Sequence, residues 1–252
     1  MTKHVQPTTK HADSDPETPP QPRKPLVKRL WSEWIKPLGT VLIIMCTFRS
    51  AIADWNDVPT GSMNPTILEG DRVAVNKLSY GLRVPFTFWW VWQWDSPERG
   101  EVVICHSPAD GKRLVKRIIG VPGDVIELRS NRLLVNGKPA DYGPPVQDDV
   151  DQILADRQCP GAIFASEAMD GLRHSVMSYP NIQGAPRDFG PFAVPDGQFF
   201  IMGDNRDRSL DSRSYGCVDG DKIVGHAFAI AGSFDRSNWY KPRWDRFARK
   251  LK

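Results

Sequence analysis

The chain has 252 residues, enough for one domain with an inserted lobe and a substantial buried core. Its 33 Lys+Arg and 30 Asp+Glu leave a net charge of +3, too little to argue for a nucleic-acid partner. Proline (22) and glycine (20) are both frequent and helical periodicity is scarce, which points to short strands and many turns.

From the N-terminus, residues 1–25 are polar and proline-rich and read as a disordered cytoplasmic tail. Residues 26–54 read as a basic flank and a single transmembrane anchor. The apolar core is the eleven-residue run LGTVLIIMCTF, Leu38 to Phe48, short of the roughly 20 residues a full span needs. Extending the run to Ala53 admits Arg49, whose stem can snorkel to a headgroup. Trp31 and Trp34 suit a membrane interface. Arg23, Lys24, Lys28, Arg29 and Lys36 all precede the run, so the positive-inside rule keeps the N-terminus in the cytoplasm and exports the rest. Two other readings of the run are a buried core helix and a cleaved signal peptide ending at Ala51-Ile52-Ala53.

Beyond it the chain reads as β structure. RVAVNKL, EVVICHS, RLVKRIIG, DVIELRS, RLLVNG, QFFIMGD and KIVGHAFAIAG are short, β-branched and bounded by turns, and DVIELRSNRLLVNG reads as a hairpin. FTFWWVWQW, Phe86 to Trp94, holds six aromatics in nine residues. One face of a strand cannot hide all six, so the segment is either a buried strand or an exposed aromatic edge that dips into lipid. The fold class is therefore mainly β: an N-terminal transmembrane helix, then an antiparallel β domain over residues 55–137 and 196–235. A β-rich, irregular lobe is inserted at 138–195, and a basic aromatic tail at 236–252 either lies on anionic lipid or is solvated.

Four cysteines show no CxxC pair, which argues against zinc, and no metal or cofactor is implied. On the exported side one disulfide among Cys105, Cys159 and Cys217 is allowed, its pairing open.

Three stretches can carry chemistry. Ser62 follows a glycine in VPTGSMNPTILEGDRV; the GxSxG elbow is not met, and none of the five histidines sits in a recognisable triad context. Taken alone, Ser62 is a turn residue or a nucleophile that needs a base. In RLVKRIIGVPGD, Leu114, Lys116 and Ile118 share one strand face, so Lys116 has apolar neighbours. Desolvation of that kind lowers a lysine pKa and yields a neutral amine able to act as a base; an ordinary strand-edge lysine is the plain alternative. MGDNRDRSLDSRSYG, Met202 to Gly216, crowds three Asp, three Arg, an Asn and three Ser into one loop, enough for a rigid ion-pair network.

PTGSMNPTI, GDRVAVNK, KRIIGVPGD and GDNRDRSLDSR, in that order after an apolar run, resemble the bacterial type I signal peptidases, the membrane-bound Ser-Lys peptidase family. The resemblance implies that Ser62 is the nucleophile and Lys116 the general base. Ser209 orients the lysine amine, and Thr60 joins the Ser62 N–H as oxyanion hole. Asp211 and Arg213 form a supporting ion pair, with Arg117 near it, and Gly203, Asp204 and Asn205 are structural. It further implies cleavage of exported preproteins after small residues (Ala-x-Ala) on the outer side of the plasma membrane. Membrane lipid and, transiently, the secretion machinery would be the other partners. Departures are the short apolar run with Arg49, Cys217 close behind DSR, and no short-spaced cysteine pair. The rival readings are a specialised peptidase of a conjugation or secretion system, and an inactive membrane-anchored β binding module. A self-cleaving repressor protease is argued against because nothing N-terminal resembles a DNA-binding module.

Overall fold

The computed structural model describes residues 30–155 and 159–251. The expected polar tail at 1–25 and the basic residues Arg23, Lys24, Lys28 and Arg29 lie outside the described residues. A π-helical turn, Trp31–Ile35, leads into the α-helix Lys36–Ala51. Its 16 residues span about 24 Å at 1.5 Å each, less than the roughly 30 Å of a bilayer core. Among the described residues no helix is long and apolar enough to cross a membrane, so the expected full span is not found in them. Leu38, Val41, Leu42, Ile43, Ile44, Met45 and Phe48 are nonetheless exposed along this helix.

The remaining strands run β1 (Ala53–Asp57), β2 (Asp71–Asn76), β3 (Gly81–Arg83), β4 (Trp90–Gln93), β5 (Val102–His106), β6 (Arg113–Gly120), β7 (Val125–Arg129) and β8 (Arg132–Val135). They continue with β9 (Lys138–Pro139), β10 (Asp141–Gly143), β11 (Ile163–Met169), β12 (Leu172–Ser178), β13 (Phe189–Ala193), β14 (Gln198–Met202), β15 (Val218–Asp219), β16 (Ile223–Asp235) and β17 (Lys241–Pro242). Each of the seven segments read as a strand contains one. The main sheet is antiparallel, in the order β1-β2-β16-β5-β6-β14-β15, with β17 on β16. A second sheet, β13-β7-β8-β9, contains the expected hairpin: Ser130 and Asn131 both take positive φ, the geometry of a two-residue turn whose twist matches its strands. Within 138–195, β10-β11-β12 form a sheet of their own, while β9 and β13 pair into the second sheet.

The centre of the main sheet, β5, β6 and β14, is buried on both faces. Val102, Ile104 and Val115 pack with Val58, Met63, Ile67, Val73 and Val75. Val103, Cys105 and Ile118 pack on the other side with Tyr80, Phe199 and Ile201. Double burial explains why these strands read as continuous apolar runs. Cys105, Cys159 and Cys217 are not joined by a disulfide. β3 and β4 form the aromatic hairpin. Phe86, Trp89, Trp92 and Trp94 stand exposed, so the buried-strand reading is corrected. Only Trp90 tucks in, under the Arg83 guanidinium and with its indole N–H on Asp221. Of the tail at 236–252, the reading as a wholly solvated terminus is corrected: its β17 pairs with β16, and Arg246 within it is fully buried.

Candidate active site

Ser62 lies in a single 3₁₀ turn, Gly61–Met63, entered from an extended Thr60. Met63, its neighbour, is fully buried in the core, which fixes the turn with about 1.5–3 kcal/mol of apolar burial. Two contacts from the GDN loop hold the turn from the other side. The Asn205 N–H donates to the Ser62 carbonyl at 3.1 Å and Asn205 Nδ2 to the Gly61 carbonyl at 3.0 Å. An N–H in the first turn of a helix has no partner inside the helix, which leaves the Ser62 N–H for an incoming group.

Lys116 sits mid-strand in β6, between Leu114 and Ile118, whose side chains join the core on the Cys105 face. Its Nζ lies 2.7 Å from Ser62 Oγ and donates to the Val115 carbonyl at 3.0 Å. The residue is 2% exposed. Burial pushes the amine below the ordinary lysine range, outweighing the opposing pull of Asp211, Cys105 and Asp204. A serine hydroxyl within hydrogen-bond reach of a desolvated amine is a nucleophile with its base.

The loop after β14 closes the site. Gly203 N–H donates to Asp211 Oδ2 at 3.0 Å, and Asp211 forms a two-point ion pair with Arg213 at 2.9 Å for each bond. Burial alone would raise the Asp211 pKa; Arg213 overcomes it and holds the carboxyl below its usual range. Asp204 is paired the same way with Arg117, at 2.9 and 2.8 Å, and also accepts from Thr66 Oγ1 at 2.6 Å. The structure thus places Arg117 on Asp204 and not on Asp211. Ser209 is near the nucleophile but is not brought into hydrogen-bond contact with the lysine. Its hydroxyl is buried and faces the Asp211 carboxylate, whose charged form it favours. Thr60 is exposed beside the turn.

Sequence reasoning missed Glu167, which pairs through both oxygens with buried Arg206 at 2.7 and 2.6 Å and also accepts from Tyr142. It missed His174 as well, whose Nε2 lies 3.5 Å from Glu167 and 3.9 Å from Asp204. Burial, then the charge of Arg117, push His174 down to about 4, so it is neutral between the two carboxylates at physiological pH. These partners come from β11 and β12, far along the chain, and no local pattern announces them. A separate cavity of about 980 Å³, between Tyr80, Trp90 and Phe199, is not lined by Ser62 or Lys116.

Gly203 has a strict steric reason. A Cβ there would fall inside 3.0 Å of both the Ser62 carbonyl oxygen and the Ser209 side chain. Gly203→Ala is expected to displace the nucleophile turn and cut the cleavage rate about 100-fold, the scale of a 1 Å misplacement. Rate measurement beside a melting curve checks this; wild-type activity in the variant would contradict it.

The family model for "Signal peptidase, peptidase S26" matches residues 31–231. Signal peptidase I of Pseudomonas fluorescens is 34% identical over 212 residues, covering 79% of this chain and 71% of its own length. Signal peptidase IB of Staphylococcus aureus is 30% identical over 199 residues, covering 79% and 88%. A solved signal peptidase I from Enterococcus faecalis aligns with 52% of this chain and 97% of its own, at 27% identity and a TM-score of 0.32.

Proposed function

From the premise that the chain belongs to the signal peptidase family, peptidase S26, we propose that Ser62 and Lys116 are its catalytic dyad. The chain is a serine peptidase that cleaves signal peptides from preproteins. The observation that carries the dyad is the 2.7 Å approach of a buried, desolvated amine to the serine hydroxyl.

In the proposed mechanism neutral Lys116 takes the Ser62 proton as Oγ attacks the carbonyl after a small residue. The oxyanion is held by the Ser62 N–H and the Thr60 hydroxyl. Lys116 then protonates the leaving amine. It next takes a proton from water, whose attack on the acyl-enzyme frees the signal peptide as its carboxylic acid, and returns that proton to the departing Ser62 Oγ. Asp211, Arg213, Asp204, Arg117 and Asn205 position these groups, and Ser209 lines the site beside Gly203.

Attachment to a membrane, with the catalytic domain on the exported side, is part of the same proposal. It is supported by the exposed apolar side chains of Lys36–Ala51 and, separately, by the exposed aromatics of the β3–β4 hairpin. Contact with the secretion machinery would be transient and follows from the substrate alone.

The test is cleavage of a preprotein with an Ala-x-Ala site by the full chain in detergent micelles, beside the same preprotein with Phe at the cleavage position. Cleavage of the first and not of the second is expected. A folded enzyme that leaves the first intact overturns the reading.

A further inference from the structure

The residues beyond the family match form a strap that returns to the nucleophile loop. Ile230 bonds this segment twice: Ala248 N–H donates to Ile230 O at 2.8 Å, and Ile230 N–H to Arg249 O at 2.8 Å. Leu251 N–H donates to Phe228 O at 2.9 Å, and its side chain packs on the same core cluster as Met63. Farther out, Arg249 pairs with Asp149 and Gln152 of the helix Gln147–Ala155.

Arg246 is fully buried at the centre of this strap. Its Nε donates to Asp71 Oδ1 at 3.1 Å, and its Nη2 to Asp71 Oδ2 at 2.5 Å and to the Thr66 carbonyl at 3.2 Å. Both partners bracket the loop that leads away from Ser62. Asp71 also accepts the Leu68 N–H at 2.8 Å, Ile67 N–H donates to Met63 O at 3.0 Å, and the Thr66 hydroxyl sits on Asp204. The stretch from Met63 to Asp71 is therefore pinned twice, once by the GDN loop and once by Arg246.

We propose that Arg246 is a positioning residue for the peptidase reaction: the C-terminal strap holds the loop behind Ser62, and through it the Ser62–Lys116 contact. The inference rests on the dyad reading above. A guanidinium suits the task because it spans a carboxylate with two parallel bonds and still reaches a third acceptor, which a lysine ammonium cannot do in one plane.

The test uses the full chain in detergent micelles and a peptidyl p-nitrophenyl ester ending in Ala-x-Ala. Each acylation of Ser62 releases one nitrophenolate. The burst amplitude counts competent sites and the burst rate reports positioning. Arg246→Met is expected to keep an amplitude matching its folded fraction while the burst rate falls ten- to hundredfold. Arg246→Lys is expected to recover part of that rate, and Arg249→Gln, which loosens Asp149 and the Gln152 oxygen that Arg249 shares with Arg246 but leaves the Arg246 bonds to Asp71 and Thr66 in place, to lose less. Should Arg246→Met not fold, Arg246→Lys and Arg249→Gln carry the comparison. A purely structural strap would lower amplitude and leave the rate per competent site at the wild-type value in all three, which overturns the inference. Nitrophenolate release by wild type no faster than by Ser62→Ala would instead remove the dyad reading, and this inference with it.

Discussion

Replacing Ser62 with Ala, or Lys116 with Ala, is expected to lower kcat by about 10⁴ or more, and the double variant should be no worse than the poorer single one. The two groups act through a single proton transfer at 2.7 Å, so removing either removes the whole step. The wild-type pH profile should carry a rising limb below the ordinary lysine value of 10.5, because the working form of Lys116 is the neutral amine and burial lowers its pKa. The sign for stability follows. With the folded pKa lowered, the folded state binds fewer protons than the unfolded state between the two values, and stability rises with pH across that window. Below it, a protonated lysine is a buried charge. Lys116→Met should therefore be inactive yet melt no lower than wild type at neutral pH. A variant that melts lower and keeps a rising limb in residual activity would show that Lys116 is packing and that another group is the base.

The apolar surroundings of Lys116 were legible because strand periodicity is local, whereas its pairing with Ser62 was implied only by the resemblance of the four blocks. The two-residue repeat in RLVKRIIG puts Leu114, Lys116 and Ile118 on one face, and the structure packs Leu114 and Ile118 into one cluster and Val115 into the other. The strands were equally legible, since β5 and β14 are covered on both faces and read as apolar runs, while β2 alternates between a buried and an exposed face. Ser62 needed more. Its surroundings on the chain fit a turn cap as well as a nucleophile, and its meeting with Lys116 of β6, which supports the second, is invisible in the local sequence. Glu167, His174 and Arg246 could not have been found by pattern. Each is a single polar residue whose partner lies in a distant element, and burial is visible only when the sheet is assembled. An ion-pair network in this loop was readable from its alternating Asp and Arg, and the resemblance named Asp211 and Arg213 as the pair. Arg117 was placed near the right loop, but its carboxylate is Asp204.

The pairing of Arg117 with Asp204 sets the second large effect. Both side chains are about 1% exposed, and the guanidinium also donates to the Gly100 carbonyl at 2.7 Å. Arg117→Met leaves Asp204 buried with a hydroxyl and a neutral histidine nearby, and breaking a buried pair by deleting one partner costs about 3–5 kcal/mol. Against a total stability of about 5–15 kcal/mol, this should bring the melting temperature down by many degrees. The pH dependence identifies the cause. Arg117 holds the Asp204 carboxyl below its usual range against burial, so the stability it contributes is present above the unfolded carboxylate pKa and is lost as pH falls through the folded one. Wild type and Arg117→Met should therefore differ most at neutral pH and converge in acid. Arg117→Met with Asp204→Leu should recover much of the loss, because Asp204 no longer leaves an unpaired charge buried, although the Thr66 hydroxyl loses its acceptor. Activity should not return with it. Asp204 lies between Gly203 and Asn205, the two residues that set the Ser62 turn, and an apolar pair cannot reproduce the anchor on Thr66. Melting curves across pH, read beside cleavage rates, separate the two. If the double variant regained stability and rate together, the ion pair would be no more than packing. Rigid placement of Ser62 against Lys116 would then have to come from Asn205 and Asp211 alone.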